Sequence, residues 1–339
     1  MANVPQRIFK KGLAAFAAAT VALTLFILKD LRVQEPAGTA SGDKVNCSSM
    51  GDAANHPLPI ADAHFHILPW MTPAELCRLM RENGIKWIGG GGQMQPDGFI
   101  NRYRKVFGER WRVFGGQREH LAEIPQQHGV NALEDAEHPA MRQLVATLES
   151  DLKSGRYKGI GELLVNTRTS ATRPDWRRKI RADSPGVKAL LNLAAKYGLP
   201  VSIHAQWDND TAEQMNRLAE SNRNGVIFLA HCGTDASADQ IRDFLSKNLN
   251  VYCDMSSRYD RSKAAGRTVY SAGWLEPSWK KLIEAMADRF TAGIDDVFSE
   301  AEYLHTVKAV REGLLANLSP EAAKKVAYEN ADRLFRISK

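Results

Sequence analysis

The chain has 339 residues, 44% hydrophobic and 25% charged, a balance that suits a folded globular protein and excludes a disordered one. Its 25 Gly and 14 Pro are too few for a fibrous or low-complexity chain. Its cysteines (Cys47, Cys77, Cys232, Cys253) form no C-x-x-C pair, which excludes a zinc finger and a disulfide-framed mini-protein, and its net charge of +6 suits an anionic ligand but falls short of a nucleic-acid-binding balance.

At the N-terminus, Arg7, Lys10 and Lys11 precede an uncharged run over residues 13–28, LAAFAAATVALTLFIL. The run is shorter than the ~20 residues of a full membrane span, and Gly12 with snorkelling lysines extends it. A cleaved secretory signal shares these features. Here, however, Lys29-Asp30-Leu31-Arg32 follows at once, and the first small-residue cluster, Ala37-Gly38-Thr39-Ala40, lies well downstream. The approach to Cys47, Lys44-Val45-Asn46, does not resemble a lipoprotein attachment site. Residues 1–32 are therefore expected to be a basic N-terminus and signal anchor, with 12–28 as the tether to the inner membrane. The basic flank places the remainder on the periplasmic or extracellular side. A buried helix of the globular part is the alternative. Residues 33–57, rich in Gly, Ala, Ser, Asp and Asn, read as a linker. Without residues 1–46 the charge falls to +3, so much of the basic excess belongs to targeting.

From residue 58 to 339, short apolar runs alternate with helical patterns. Strands are expected at 60–67, 85–89, 111–115, 159–165, 200–204, 226–231, 251–255 and 290–294. Thr72-Pro73-Ala74-Glu75 opens a helix with an N-cap, a Pro at the first position and an acid in the first turn. Ser184-Pro185 opens another, whose Val187, Leu190, Leu191 and Ala194 fall on one face. Further helices are expected near 139–154, 210–222, 235–247, 278–288, 299–313 and 320–335. Eight strand–helix units in this length fit an α/β fold of the closed (β/α)8 TIM-barrel type; an open doubly wound sheet is the alternative. Gly89-Gly90-Gly91-Gly92 reads as a loop and not as a phosphate-binding fingerprint.

Active sites of such barrels lie at the C-terminal ends of the strands. The first strand ends Asp62-Ala63-His64-Phe65-His66, and residues two apart on a strand face the same way. The fourth carries Glu162, the fifth ends at His204, the sixth at His231, and the eighth at Asp295-Asp296. Two inward imidazoles without a cation would be hard to satisfy in an apolar barrel. His64, His66, Glu162, His204, His231 and Asp295 are therefore the expected metal ligands. This donor set suits Zn²⁺ first, and also Mn²⁺, Fe²⁺ or Ni²⁺. Cys232 and Cys253 read as buried apolar residues, and no disulfide pairing is evident.

The stretches IADAHFHI, GIGELL, LPVSIHA, VIFLAHCG, NVYCDMSS, FTAGIDD and AYENADRLF resemble, in order, the amidohydrolase superfamily of metal-dependent barrel hydrolases. Many members carry a carboxylated lysine on the fourth strand. Glu162 occupies that place here, as in TatD-like nucleases, while Lys158 lies at the wrong end of the strand. One ion or two therefore remain open. The resemblance implies an activated-water hydrolase acting on a C–O or C–N bond of a small, anionic substrate. Asp295 is the expected general base, and His231 either orients substrate or binds metal. Two basic stretches follow the fourth strand (Arg168, Arg173, Arg177, Arg178, Lys179, Arg181) and the seventh (Arg258, Arg261, Lys263, Arg267). Arg258 is the expected anion contact, and Trp207, with Trp70 and Trp274, the expected aromatic rim. Three alternatives stay open: a TatD-like phosphodiesterase or nuclease, a non-oxidative decarboxylase on the same barrel, and a tethered binding module without chemistry. Export fits the nuclease poorly, nucleic acid is not an expected partner, and the intact ligand set weighs against the binding module.

Overall fold

A computed structural model describes residues 46–49, 56–68, 70–171, 173–260, 268–295 and 297–336. Each expected apolar run forms a strand: β1 (Ile60–Asp62), β2 (Ile85–Gly92), β3 (Trp111–Gly116), β4 (Ile160–Asn166), β5 (Pro200–Ala205), β6 (Val226–Ala230), β7 (Val251–Asp254) and, after a small antiparallel hairpin of β8 (Tyr270–Ser271) and β9 (Trp274–Leu275), β10 (Phe290–Thr291). The barrel strands pair in parallel in the order β1-β2-β3-β4-β5-β6-β7-β10. They are buried along nearly their whole length, as a parallel sheet covered by helices requires. The ring is drawn together just past the strand ends. There the Ala63 N–H donates to the Ala292 carbonyl (3.1 Å) and the Asp295 N–H to the His64 carbonyl (2.6 Å). Asp62 pins the same seam by accepting from the Ile294 N–H at 2.9 Å.

Two strands depart from expectation at the point that builds the site. β1 stops at Asp62, and residues 63–66 run on beside β2 with a bend at His64, the Phe65 N–H on the Gly89 carbonyl at 2.9 Å. β2 in turn runs through the glycine stretch that reads as a loop. Side-chain-free residues are needed at Gly90 and Gly91 because the chain at 63–66 passes directly over them, and at Gly89 and Gly92 because a Cβ would meet Arg112 on β3 and the Gly161 carbonyl on β4. Gly90 has φ +73°, and a Cβ on it would overlap the Ala63 carbonyl oxygen. Gly90→Ala is expected to destabilise the barrel by about 3 kcal/mol or more, read as a fall in Tm; an unchanged Tm would contradict this packing.

The helices carry the end signals their sequences announce. Thr72 and Glu75 form a reciprocal capping box at the start of α1 (Pro73–Glu82), and Ser184 caps α5 (Pro185–Lys196), whose Val187, Leu190, Leu191 and Ala194 are buried. Between them lie α2 (Asp97–Phe107), α3 (Ile124–His128) and α4 (Pro139–Lys153). Helix α2 was not expected. Its apolar stripe, Ile100, Tyr103 and Phe107, is thin and interrupted by Asn101, Arg102, Arg104 and Lys105.

All four cysteines are paired, Cys47 with Cys77 and Cys232 with Cys253. This corrects the reading of Cys232 and Cys253 as lone apolar residues. The partners are 21 positions apart in sequence, and only the lateral contact of β6 and β7 makes them neighbours. No helix among the described residues is long and apolar enough to cross a membrane. The expected anchor, 1–32, and most of the linker, 33–57, lie outside those residues.

Candidate metal centre

His64 and His66 just past β1, Glu162 within β4, His204 near the end of β5, His231 just past β6 and Asp295 past β10 come together in one buried cup. The His64 and His66 Nε2 atoms are 3.0 Å apart, and each is 3.5 Å from Asp295 Oδ1. Glu162 spans the other side: Oε2 lies 3.6 Å from His66 Nε2, and Oε1 lies 3.4 Å from His231 Nε2 and 3.0 Å from His204 Nδ1.

The outer hydrogen bonds fix which nitrogen of each ring carries a proton. His66 Nδ1–H donates to the Gly92 carbonyl at 2.6 Å. His64 Nδ1–H donates to Asp254 Oδ2 at 3.1 Å. Ser256 Oγ–H donates to Asp254 Oδ1, so Ser256 Oγ accepts from His231 Nδ1–H at 2.9 Å. In neutral rings, three Nε2 lone pairs therefore point into the cup. His204 is turned over, with Nδ1 toward Glu162 and Nε2 on Ser170 Oγ at 2.9 Å. Two facing lone pairs at 3.0 Å repel unless positive charge lies between them, as do lone pairs facing Glu162 and Asp295. The arrangement calls for protons or a cation, and the imidazole and carboxylate donors fit a divalent cation. Three triads, His64/His66/Glu162, Glu162/His204/His231 and His64/His231/Asp254, each place their ligand atoms within 4.8 Å of one another.

The electrostatics express the same demand. Burial opposes charge at every position. Around His64, the carboxylates of Asp254, Asp295 and Glu162 outweigh it and hold the imidazole well above its ordinary range. His231 is raised against burial by Asp295 and Glu162. Burial would lift Glu162, but the His64 charge and hydrogen bonds from His204, His231 and His66 hold it well below the usual carboxylate range. Asp295 is lowered against burial by His231, His64 and His66. Without a cation the cup gathers protons, and a cation entering it displaces them.

The walls include residues in left-handed backbone, His231 (φ 53°), Cys232 (φ 51°), Ser257 (φ 52°) and Asp295 (φ 75°), a conformation that non-glycine residues hold only where the surroundings impose it. Ser257 Oγ–H donates to Asp295 Oδ2 and fixes that carboxylate. Asp254, Ser256, Ser257 and Gln117, whose Nε2 is 3.4 Å from Glu162 Oε2, were missed in the sequence. Asp254 was within reach of the strand-end rule, since it closes β7 within the NVYCDMSS stretch.

Two expected substrate contacts lie elsewhere. Arg258 is fully buried; its guanidinium donates to the carbonyls of Gly233 (3.1 Å) and Ala236 (3.0 Å) and lies over the Trp279 ring. It is a clasp on the loop after β6. Trp207 packs against Phe244 and Gly233 and is 8% exposed, so it underlies the loop instead of rimming the mouth. The basic stretch after β4 is likewise engaged locally. Arg173 pairs with Asp175, Lys179 with Asp208 and Asp210, and Arg181 with Asp183, while Arg178 donates to the His120 and Leu121 carbonyls. Most of the described cations of this stretch therefore have partners within the fold, with Arg177 donating to the Ala171 carbonyl, while Arg168 is exposed. Arg261, Lys263 and Arg267 lie outside the described residues.

His120 follows Gln117 on one face of a helical turn. It is fully buried, and neither ring nitrogen has a hydrogen-bond partner among the described residues. Burial, then the nearby Arg178 charge, pushes it down to about 3 from its ordinary 6.5. It stays neutral in the fold at pH values where the unfolded chain binds a proton, so its contribution to stability falls as pH drops below 6.5. The stability advantage of wild type over His120→Gln is expected to shrink by about 1.4 kcal/mol per pH unit between roughly pH 6 and 4, followed by denaturant melts; a pH-independent difference would contradict it.

A nearly closed barrel of eight parallel strands with imidazoles and carboxylates converging at its mouth places the chain among TIM-barrel proteins with a metal-competent site. The amidohydrolase family profile matches residues 61–337, and the chain belongs to that family. Among solved structures it is similar to an uncharacterised TIM-barrel protein from Bordetella bronchiseptica, with 14% identity over 78% of this chain and 83% of that one and a TM-score of 0.52. It is also similar to a probable 2-pyrone-4,6-dicarboxylic acid hydrolase from Acinetobacter baumannii, with 13% identity, 83% and 100% coverage and a TM-score of 0.50. A mutant organophosphorus hydrolase from Deinococcus radiodurans shows 13% identity, 82% and 92% coverage and a TM-score of 0.50. At these identities the likeness concerns the fold. No curated protein matches the chain.

Proposed function

We propose that this chain is a metal-dependent hydrolase that activates water against a C–O or C–N bond of a small molecule. The observation that carries the reading is the convergence of three Nε2 lone pairs with Glu162 and Asp295 in one buried cup. His64, His66, Glu162, His204 and His231 are the candidate ligands, with Asp295 at the cup's edge. Zn²⁺ is the first choice for this mixed donor set, and Mn²⁺, Fe²⁺ and Ni²⁺ are compatible with it. A divalent cation held there supplies a Lewis acid that acidifies water and polarises the scissile bond.

The remaining chemistry belongs to the chain. Asp295 is held ionised by its imidazole neighbours, so it is able to take a proton from the attacking water and return it to the leaving group. Ser257 orients it through Oδ2, leaving Oδ1 toward the cup. Asp254 holds His64 and, through Ser256, His231, so one buried carboxylate orients two rings.

An exported location accompanies this reading. The apolar run at 13–28 supplies the targeting signal, and two disulfides are what an oxidising compartment permits. The test is a panel of p-nitrophenyl esters, lactones, amides, bis-p-nitrophenyl phosphate and aromatic carboxylates, assayed with chelator-stripped and Zn²⁺-reloaded protein. Metal-dependent release from an ester, lactone or amide supports the hydrolase. CO₂ release from a carboxylate, or cleavage of the phosphodiester alone, replaces it with a decarboxylase or phosphodiesterase.

A further inference from the structure

We propose that the Cys232–Cys253 disulfide is a positioning element of the cup: it holds His231 and Asp254 in the arrangement that receives the cation. The inference rests on the metal-dependent reading above. Cys232 directly follows His231, and Cys253 directly precedes Asp254. Both cysteines are fully buried, with Cα atoms 4.7 Å apart. In the ladder between β6 and β7, Cys253 lies opposite Leu229, not Cys232. The chain reaches the bridge only by doubling back after Ala230, with Cys232 N–H on the Leu229 carbonyl (3.2 Å) and Gly233 N–H on the Ala230 carbonyl (3.1 Å).

That turn places His231 and Cys232 consecutively in left-handed backbone, which neither residue type favours, so its surroundings must hold it. The disulfide grips it on one side and the Arg258 clasp on Gly233 and Ala236 on the other. The bridge also spans the relay from His231 Nδ1 through Ser256 Oγ to Asp254 and on to His64. A shift of β7 relative to the turn would separate the His231 ring from its proton acceptor and turn its Nε2 away from Glu162.

The other disulfide provides the control. Cys47–Cys77 ties the segment at 46–49 to α1, and the hydrogen bonds of Cys47, to Val106 and Arg110, reach no cup residue. Co²⁺ is titrated into chelator-stripped wild type, Cys232→Ala/Cys253→Ala and Cys47→Ala/Cys77→Ala, with a competing chelator, following the Co²⁺ absorption bands and the Tm of each. Both variants are expected to lose Tm. The Cys232/Cys253 variant is expected to bind Co²⁺ about tenfold or more weakly, with altered bands, and the Cys47/Cys77 variant within about twofold of wild type. Should the alanine pair fail to fold, Cys232→Ala/Cys253→Val refills the sulfur volume from the extended β7 side, sparing the left-handed backbone at 232, and is read in the same way. Unchanged Co²⁺ affinity in the Cys232/Cys253 variant, or equal weakening in both, overturns the inference alone. Absence of Co²⁺ uptake by wild type overturns the metal reading and the inference with it.

Discussion

Asp295→Asn leaves the barrel folded and lowers turnover by about 10³-fold, the range expected when a positioned proton acceptor is lost. The fold survives for local reasons. Asparagine has nearly the volume of aspartate and tolerates the left-handed φ of 75° at this position. Its amide oxygen still accepts from Ser257 Oγ–H, and its backbone N–H still reaches the His64 carbonyl at 2.6 Å. What disappears is a negative charge and a basic oxygen 3.5 Å from both His64 Nε2 and His66 Nε2. The measurement is kcat on whichever panel substrate the wild type cleaves, with far-UV circular dichroism and Tm as folding controls. Full activity in the variant would remove Asp295 as the base.

The second large effect concerns the histidine pair. Wild-type protein stripped of metal and then given Zn²⁺ at about a thousandfold excess over its dissociation constant gains about 4 kcal/mol of stability, a rise in Tm of roughly 5–10 °C. His64→Gln/His66→Gln removes two of the three Nε2 donors and leaves Asp254 without its imidazole partner. It is expected to retain less than about a tenth of the wild-type metal content and to show no Zn²⁺-dependent shift in Tm. The wild-type response is also pH-dependent. His64 and His231 are raised above their ordinary range, so protons compete with the cation already above pH 6.5, and Zn²⁺ affinity declines as pH falls through that region. A Zn²⁺-dependent rise in the double variant equal to that of wild type would place the ion elsewhere.

The barrel was legible because a parallel strand buried on both faces reads as a continuous apolar run, and these runs alternate with helices opened by Thr72, Ser184 and similar caps. The cup was legible from one rule: polar residues at strand C-termini of such a barrel face a common mouth. The rule succeeded for His64 and His66 although β1 ends before them, because residues 63–65 stay bonded between β2 and the seam, through Gly89, Ala292 and Asp295. The glycines at 89–92 misled because in sequence they look like punctuation; their purpose, room for the chain crossing Gly90 and Gly91 and for the neighbouring strands at Gly89 and Gly92, depends on residues more than twenty positions away. Arg258 misled for a related reason. Its place after β7 put it near the mouth, but carbonyls freed by the left-handed turn at His231 and Cys232 engage its guanidinium. Disulfide pairing, buried arginine clasps and the Asp254 relay are properties of lateral neighbours, which no local pattern carries.

The account stands on the claim that these side chains share a cation. Anomalous diffraction at the Zn edge from crystals of Zn²⁺-loaded protein tests it most directly. It should reveal density about 2.0–2.2 Å from His64 Nε2, His66 Nε2 and a Glu162 oxygen, with His231 or Asp295 completing the shell. A fully ordered cup with no anomalous peak among these atoms, or a peak bound only at other residues, would contradict it.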